Sequence, residues 1–214
     1  MKGKWRLACV AFAAVFALFA SSVGAQAAYP DRPVQIVCPW GAGGGTDQVA
    51  RTIAAILQED LGIPFNVVNR TGGGGAIGHI AGAKAQPDGY TLTIITAELN
   101  MMHWMGMAEV TYNDFRPIGI VNIDPAAVWV SADSKWEKLE DLMNEIKANP
   151  GKLRASGTGT GGIWHLAMAG WLASMGLPPD AVTWVPSTGA AEGLRELIGG
   201  GVDLVPCSLP EGMS

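Results

Sequence analysis

The chain has 214 residues, 29 of them glycine, with 14 cationic and 19 carboxylate side chains and a formal charge of −5. An acidic chain without a basic cluster is a poor match for nucleic acid or an anionic membrane surface. If the ligand is an anion, local donors must attract it, because the global field does not.

The first 27 residues read as a secretory signal peptide. Lys2, Lys4 and Arg6 form a cationic start, and Leu7 to Ala20 run apolar without a charge. That run is shorter than the roughly twenty residues needed to span a bilayer. Ala25 and Ala27 offer the small residues a signal peptidase reads, which puts cleavage after Ala27, with Ala28 an adjacent alternative. Loss of the leader leaves eleven cations against nineteen carboxylates, a net charge near −8. Cys9 leaves with it. Cys38 and Cys207 remain in a compartment that permits disulfides. Each ends a predicted strand, where a buried free thiol is the expected state, although spacing alone leaves pairing open.

Strand–helix alternation begins at once. Val34–Cys38 reads as a buried strand, residues 39–45 as a Gly-rich loop, and the segment from Thr46 as a helix. Val49, Ile53, Ile56, Leu57 and Leu61 share one face of that helix. Thr46 is the expected N-cap, Asp47 puts a carboxylate in the first turn, and Gly62 and Pro64 end the helix. The unit repeats as strand Phe65–Asn69, loop 70–75, helix 76–85, a turn at 87–89 and strand 90–96. Residues 97–116 lack a clean period and read as a short helix or irregular segment. Strands are expected at 118–121 and 127–131. A second series follows: helix 139–147, strand 153–156, loop 157–162, helix 163–175, strand 182–185, turn 186–189, helix 190–198 and strand 202–205. This alternation predicts an α/β fold with mostly parallel sheets. The expected division is signal peptide 1–27, a first lobe at 28–125 and a second at 126–214.

Three loops share one design: a strand end, glycines with small hydroxyl residues, then a helix start. The first carries Trp40, Gly43, Gly44, Gly45, Thr46 and Asp47. The second carries Gly73, Gly74 and Gly75, and the third Ser156, Gly157, Thr158 and Thr160, with His165 just beyond. The first turn of a helix has unpaired N–H groups and partial positive charge, so a carboxylate placed there gains several donors at once. Glycine permits close backbone approach, and hydroxyls add adjustable donors. Such loops lie at the carboxyl ends of strands, where open α/β sheets bind ligands. Thr96, at the end of the third strand, joins the same set. Trp40 is read as an apolar wall of the site, Trp164 as either wall or core, and Trp171 and Trp184 as core. Asp47 argues mildly against a purely anionic pocket and is better read as a helix cap.

A competing motif is the run from Gly73 through Gly75 to Gly78, which has the spacing of a dinucleotide fingerprint, with Glu98 twenty residues beyond its last glycine. It would suit an exported nucleotide-dependent enzyme. Catalysis has little other support. His79, His103 and His165 show no metal-ligand spacing, and no Gly-x-Ser-x-Gly elbow surrounds Ser156. Neither a metal nor a cofactor is expected.

Pro39-Trp-Gly-Ala-Gly-Gly-Gly-Thr-Asp47, Asn69-Arg70 with its glycines, Pro87-Asp-Gly-Tyr-Thr91, Ser156-Gly-Thr-Gly-Thr160 with His165, and Gly199-Gly-Gly-Val-Asp203 stand in register over the chain from about Tyr29. In these the sequence resembles the substrate-binding proteins of tripartite tricarboxylate transporters, the Bug family. The resemblance implies a type 2 periplasmic-binding-protein fold of two lobes and a hinge. It implies a monomeric, non-enzymatic, periplasmic solute-binding protein that captures a small di- or tricarboxylate. Its partners would be the membrane subunits of such a transporter, not nucleic acid. The first two loops would hold a carboxylate, and Ser156, Gly157, Thr158, Thr160, His165, Ser187, Thr188 and Gly189 would supply second-lobe contacts. Cys207 stands where many members have Asp, Thr71 where many have Pro, and Ser187-Thr188 where many have an aromatic–basic pair, which leaves ligand identity open. Members continue on the order of a hundred residues further, so the resemblance also implies a second lobe unfinished at Ser214.

Overall fold

A computed structural model describes residues 29–213, so the leader expected at 1–27 lies outside the described residues. Residues Arg32–Ser214 form one compact unit containing two sheets. The first sheet is parallel and ordered β2-β1-β3, from β1 Val34–Cys38, β2 Phe65–Asn69 and β3 Thr91–Thr93. The second is ordered β4-β7-β5-β6, from β4 Ala126–Val130, β5 Arg154–Ala155, β6 Thr183–Trp184 and β7 Leu204–Ser208. Here β7, β5 and β6 run parallel, whereas β4 pairs antiparallel with β7.

The helices are α1 Gly45–Leu61, α2 Ala76–Ala83, α3 Leu99–Met102, α4 Leu139–Ala148, α5 Ile163–Ser174, α6 Ala190–Ile198 and α7 Leu209–Met213. Val34, Ile36 and Cys38 alternate onto one face of β1 and pack with Ala50 and Ala54 of α1. The other face receives α2, whose Gly78 and Gly82 stand one turn apart against Pro39 and Thr93. A Cβ on Gly78 would lie 2.5 Å from Pro39 Cα and 2.7 Å from the Arg70 carbonyl, so only glycine lets this helix sit so close to the roots of two loops. In the second sheet Leu204 faces Leu142, Ile146 and Leu172, while Val205 and Cys207 face Ala190 and Leu197. That period of two covers β7 on both sides.

Apart from the strand expected at 118–121, the element order agrees with the sequence reading, and several boundaries differ. The helix cap is Gly44, not Thr46, which lies inside the first turn of α1. That helix buries Asp47, Ala50 and Ala54, whereas Ile56 is 53% and Leu61 48% exposed. Small residues won the sheet-facing stripe because they allow closer approach. β7 starts two residues later than expected and runs to Ser208, because pairing with β4 extends through Ala126 opposite Ser208. Residues 118–121 form no strand. Ile118 and Ile120 are 85% and 83% exposed and have no ladder partner among the described residues.

Candidate ligand-binding site

Loop 1 is held from below by a buried carboxylate. Asp47 Oδ2 accepts from Gly43 N–H at 2.9 Å and from Arg51 Nε at 2.8 Å. Its Oδ1 accepts from Asn69 Nδ2 at 2.8 Å, and the same amide nitrogen donates to the Trp40 carbonyl at 2.9 Å. One carboxylate thus ties loop 1, α1 and the end of β2 together. Burial pushes the Asp47 pKa up, but the donors from Arg51, Gly43 and Asn69, with the Arg51 charge, outweigh burial and hold it below its ordinary value.

Two helix N-termini meet carboxylates from the opposite sheet. Gly45 N–H, at the start of α1, donates to Glu211 Oε1 at 3.4 Å. Ile163 N–H, at the start of α5, donates to Glu98 Oε1 at 2.8 Å. Glu98 follows β3 in the first sheet, and Glu211 follows β7 in the second. Glu98 Oε2 accepts from Thr96 Oγ1 at 2.6 Å, and that hydroxyl accepts from Trp40 Nε1 at 3.2 Å. Each anion stands at the positive end of a helix, where dipole and free N–H both favour it.

His79 locks the rear of the same network and is fully buried. Thr96 N–H can only donate, so His79 Nε2, 3.2 Å away, is the acceptor, and Nδ1 carries the proton to the Gly75 carbonyl at 2.8 Å. Burial lowers the His79 pKa against the raising influence of that carbonyl and of Glu98, consistent with a neutral ring. His165 has the opposite tautomer: its Nδ1 accepts from Gly161 N–H at 3.1 Å. Burial lowers its pKa too.

The Gly-rich loops converge. A Cβ on Gly159 in loop 3 would lie 3.5 Å from Gly74 Cα in loop 2. One on Gly41 would lie 3.6 Å from Thr188 Oγ1, and one on Gly75 would meet the Trp40 ring at 3.1 Å. The Trp40 ring therefore packs between loop 2 at Gly75 and the turn at Gly189. Met107 and Met105 cover Gly74 and Gly161. Beside this knot opens a cavity of about 1640 Å³. Its walls include Gly44, Thr96, Thr158 and Gly189, apolar residues Val49, Ile53 and Leu57 of α1, and the segment 115–122.

Of the residues singled out in the sequence, Trp40, Gly44, Gly45, Thr46, Thr96, Thr158, Thr188 and Gly189 border this cavity. Gly43 and Asp47 are engaged with each other beneath loop 1. Gly73, Gly74 and Gly75 turn toward loop 3, Met107 and Trp40. Ser156 and Gly157 are buried at the root of loop 3, and Thr160 is exposed. His165 stands beside Trp184, ring centroids 5.0 Å apart. Ser187 donates to the Gly189 carbonyl at 3.2 Å, and Thr188 N–H and Oγ1 both bond Glu192. Cys207 is unpaired, as is Cys38. It packs with Ala190, Leu197 and Val205, and burial, then the Glu211 charge, pushes its thiol up to about 12. Buried Ser156 Oγ and Thr158 Oγ1 have no hydrogen-bond partner.

Glu98 and Glu211 are the residues the sequence reading did not place here. Glu98 stood only as the acid of a dinucleotide fingerprint, but its two oxygens hold Ile163 and Thr96, and Gly78 packs on Pro39. Glu211 had a legible signal: Ser208-x-x-Glu211 is a capping-box pattern. Among the described residues no cluster of three metal-ligating side chains occurs, and no helix is long and apolar enough to cross a membrane.

Two α/β sheets with loops converging at the carboxyl ends of their strands define a type 2 periplasmic-binding-protein-like fold. A family model described as tripartite tricarboxylate transporter family receptor matches residues 49–213, and the chain belongs to that family. Protein BugT of Bordetella pertussis is 32% identical over 196 residues, which cover 87% of this chain and 59% of BugT. The solved structure of the periplasmic binding protein BugD superposes with a TM-score of 0.74 at 31% identity, covering 84% of this chain and 60% of that one. Rpa4515 of R. palustris with adipate gives 0.68 at 28% (86% and 61%), and MatC of Rhodopseudomonas palustris with bound malate gives 0.72 at 26% (84% and 61%). The chain thus spans about three fifths of the length of these relatives.

Proposed function

We propose that the protein is a periplasmic receptor that captures a small organic acid with two or more carboxylates and presents it to the membrane subunits of a tripartite tricarboxylate-type transporter. The observation that carries this reading is that two helix N-termini already seat carboxylates, Glu211 on Gly45 and Glu98 on Ile163. Both contacts show that helix N-termini in this chain take carboxylates, with N–H donors and helix dipoles supplying the attraction that an acidic chain lacks overall. Thr158, whose buried hydroxyl packs against Gly162, contributes to the cavity wall on the second-sheet side. Malate and adipate in the two R. palustris structures are the ligand class expected.

On this reading Trp40, Gly44, Gly45, Thr46 and Thr96 contribute from a first lobe at 28–125, and Thr158, Thr188 and Gly189 from a second at 126–214. Ligand between them favours closure about a hinge. Asp47, Gly43 and the loop-2 glycines hold the first wall in shape. A thermal-shift titration with malate and adipate tests this. A ligand at a hundred times its dissociation constant stabilises by about 2.7 kcal/mol. Gly44→Val, whose Cβ would press within 3.3 Å of the Gly41 carbonyl, is expected to lose that shift while keeping its circular dichroism. A Gly44→Val variant that binds as well as wild type refutes the site.

A further inference from the structure

Glu211 stands where a ligand carboxylate would. Its position is enforced locally: Ser208 N–H and Oγ each lie 3.1 Å from Glu211 Oε2, and Glu211 N–H donates back to Ser208 Oγ at 3.4 Å. This capping box satisfies the start of the short helix α7 and turns Oε1 toward the first turn of α1. The fit there is close. A Cβ on Gly45 would lie 2.7 Å from Glu211 Cγ and 3.1 Å from Cδ and Oε1, so glycine at 45 is what admits the glutamate. The other seated carboxylate differs in kind. Glu98 is buried with both oxygens in bonds of 2.8 and 2.6 Å, and it belongs to the frame.

We propose that Glu211 is a specificity-determining residue of the loop-1 seat: it competes for the Gly45 amide, and a ligand carboxylate binds there only by moving it aside. This rests on the organic-acid reading and deepens it. Two carboxylates brought to one N–H repel each other, and like-charge juxtaposition of that kind is costly. Burial, and to a lesser extent the charge of Asp124, already push the Glu211 pKa up against the Ser208 and Gly45 donors, so this carboxylate is held there at a cost before any ligand arrives. The side chain at 211 therefore sets how strongly the seat takes an anion. A neutral isostere opens it, whereas the native carboxylate selects ligands whose second acidic group gains enough elsewhere in the cleft to offset the exchange.

Calorimetric titration of the purified protein with malate and with adipate, wild type against Glu211→Gln, decides the matter. The variant is expected to bind malate roughly tenfold more tightly, and Ser208→Ala, which loosens the capping box without touching the charge, to tighten binding less. Binding by Glu211→Gln where wild type is silent supports the proposal in its strongest form. A wild type that binds and a Glu211→Gln that binds equally or more weakly overturns it while leaving the organic-acid reading intact. If wild type and both variants retain native circular dichroism and take up neither acid, the organic-acid reading fails and the role of Glu211 fails with it.

Discussion

Gly78→Ala is the most informative single change for the architecture that carries the site. The added methyl would stand 2.5 and 2.6 Å from Pro39 Cα and Cβ and 2.7 Å from the Arg70 carbonyl oxygen. Carbon contacts settle near ~3.5–4.0 Å, so α2 must recede by about 1 Å from the ends of β1 and β2. Two of the three atoms met are backbone, so no side chain can swing away. Overpacking of this sort costs about 1–3 kcal/mol. A 2 kcal/mol loss lowers the melting point by about 4–8 °C in a chain of this size. Gly170→Ala is the control: it lies inside α5, and a Cβ there would meet nothing within 4 Å, so alanine relieves a helix cost of about 1 kcal/mol and raises the melting point by a few degrees. Because Pro39 and Arg70 are the roots of loops 1 and 2, Gly78→Ala should also weaken ligand binding, and Gly170→Ala should not. Thermal denaturation and calorimetry on the pair read both effects. A Gly78→Ala protein that melts at or above wild type refutes the close-approach reasoning.

Asp47→Asn replaces an acceptor of three hydrogen bonds with a group that turns a donor toward one of its partners, and should cost about 1.5–3 kcal/mol in urea denaturation. Because the folded pKa of Asp47 lies below its unfolded value, its contribution is present above the unfolded pKa and is lost as pH falls through the folded one. The variant should lack that part of the acid-side decline, and an unchanged pH profile counts against the network. Nitrogen-15 spectra of the histidines at pH 6.5 should show His79 neutral with its proton on Nδ1 and His165 neutral with its proton on Nε2. Reversed tautomers or a charged His79 would break the link between α2 and Thr96. Leu172→Ala, at a fully buried position between α5 and the second sheet, should destabilise by about 2–5 kcal/mol without altering ligand preference.

The alternation of strand, Gly-rich loop and helix determined the fold class from residues alone, because burial periodicity and glycine runs are local properties of the chain. Val34–Cys38, Phe65–Asn69 and Ala190–Ile198 agree with the structure at both ends for that reason. Loops 1 and 3 were legible on the same grounds as glycine-rich turns leading into helices, whereas the turn at 187–189 entered only through the family resemblance. What tertiary structure decided is everything that depends on a distant partner. Thr46 had the chemistry of a cap, but the chain placed Gly44 there so that Glu211, from the far end of the sequence, could reach the first turn of α1. Residues 118–121 had strand character and, among the described residues, no strand to pair with, since a ladder requires a neighbour that composition does not specify. Glu98 had a local pattern suited to a ribose and was claimed instead by Ile163 N–H, 65 positions away. A carboxylate seeks the nearest buried donor, and only the folded chain settles which one that is.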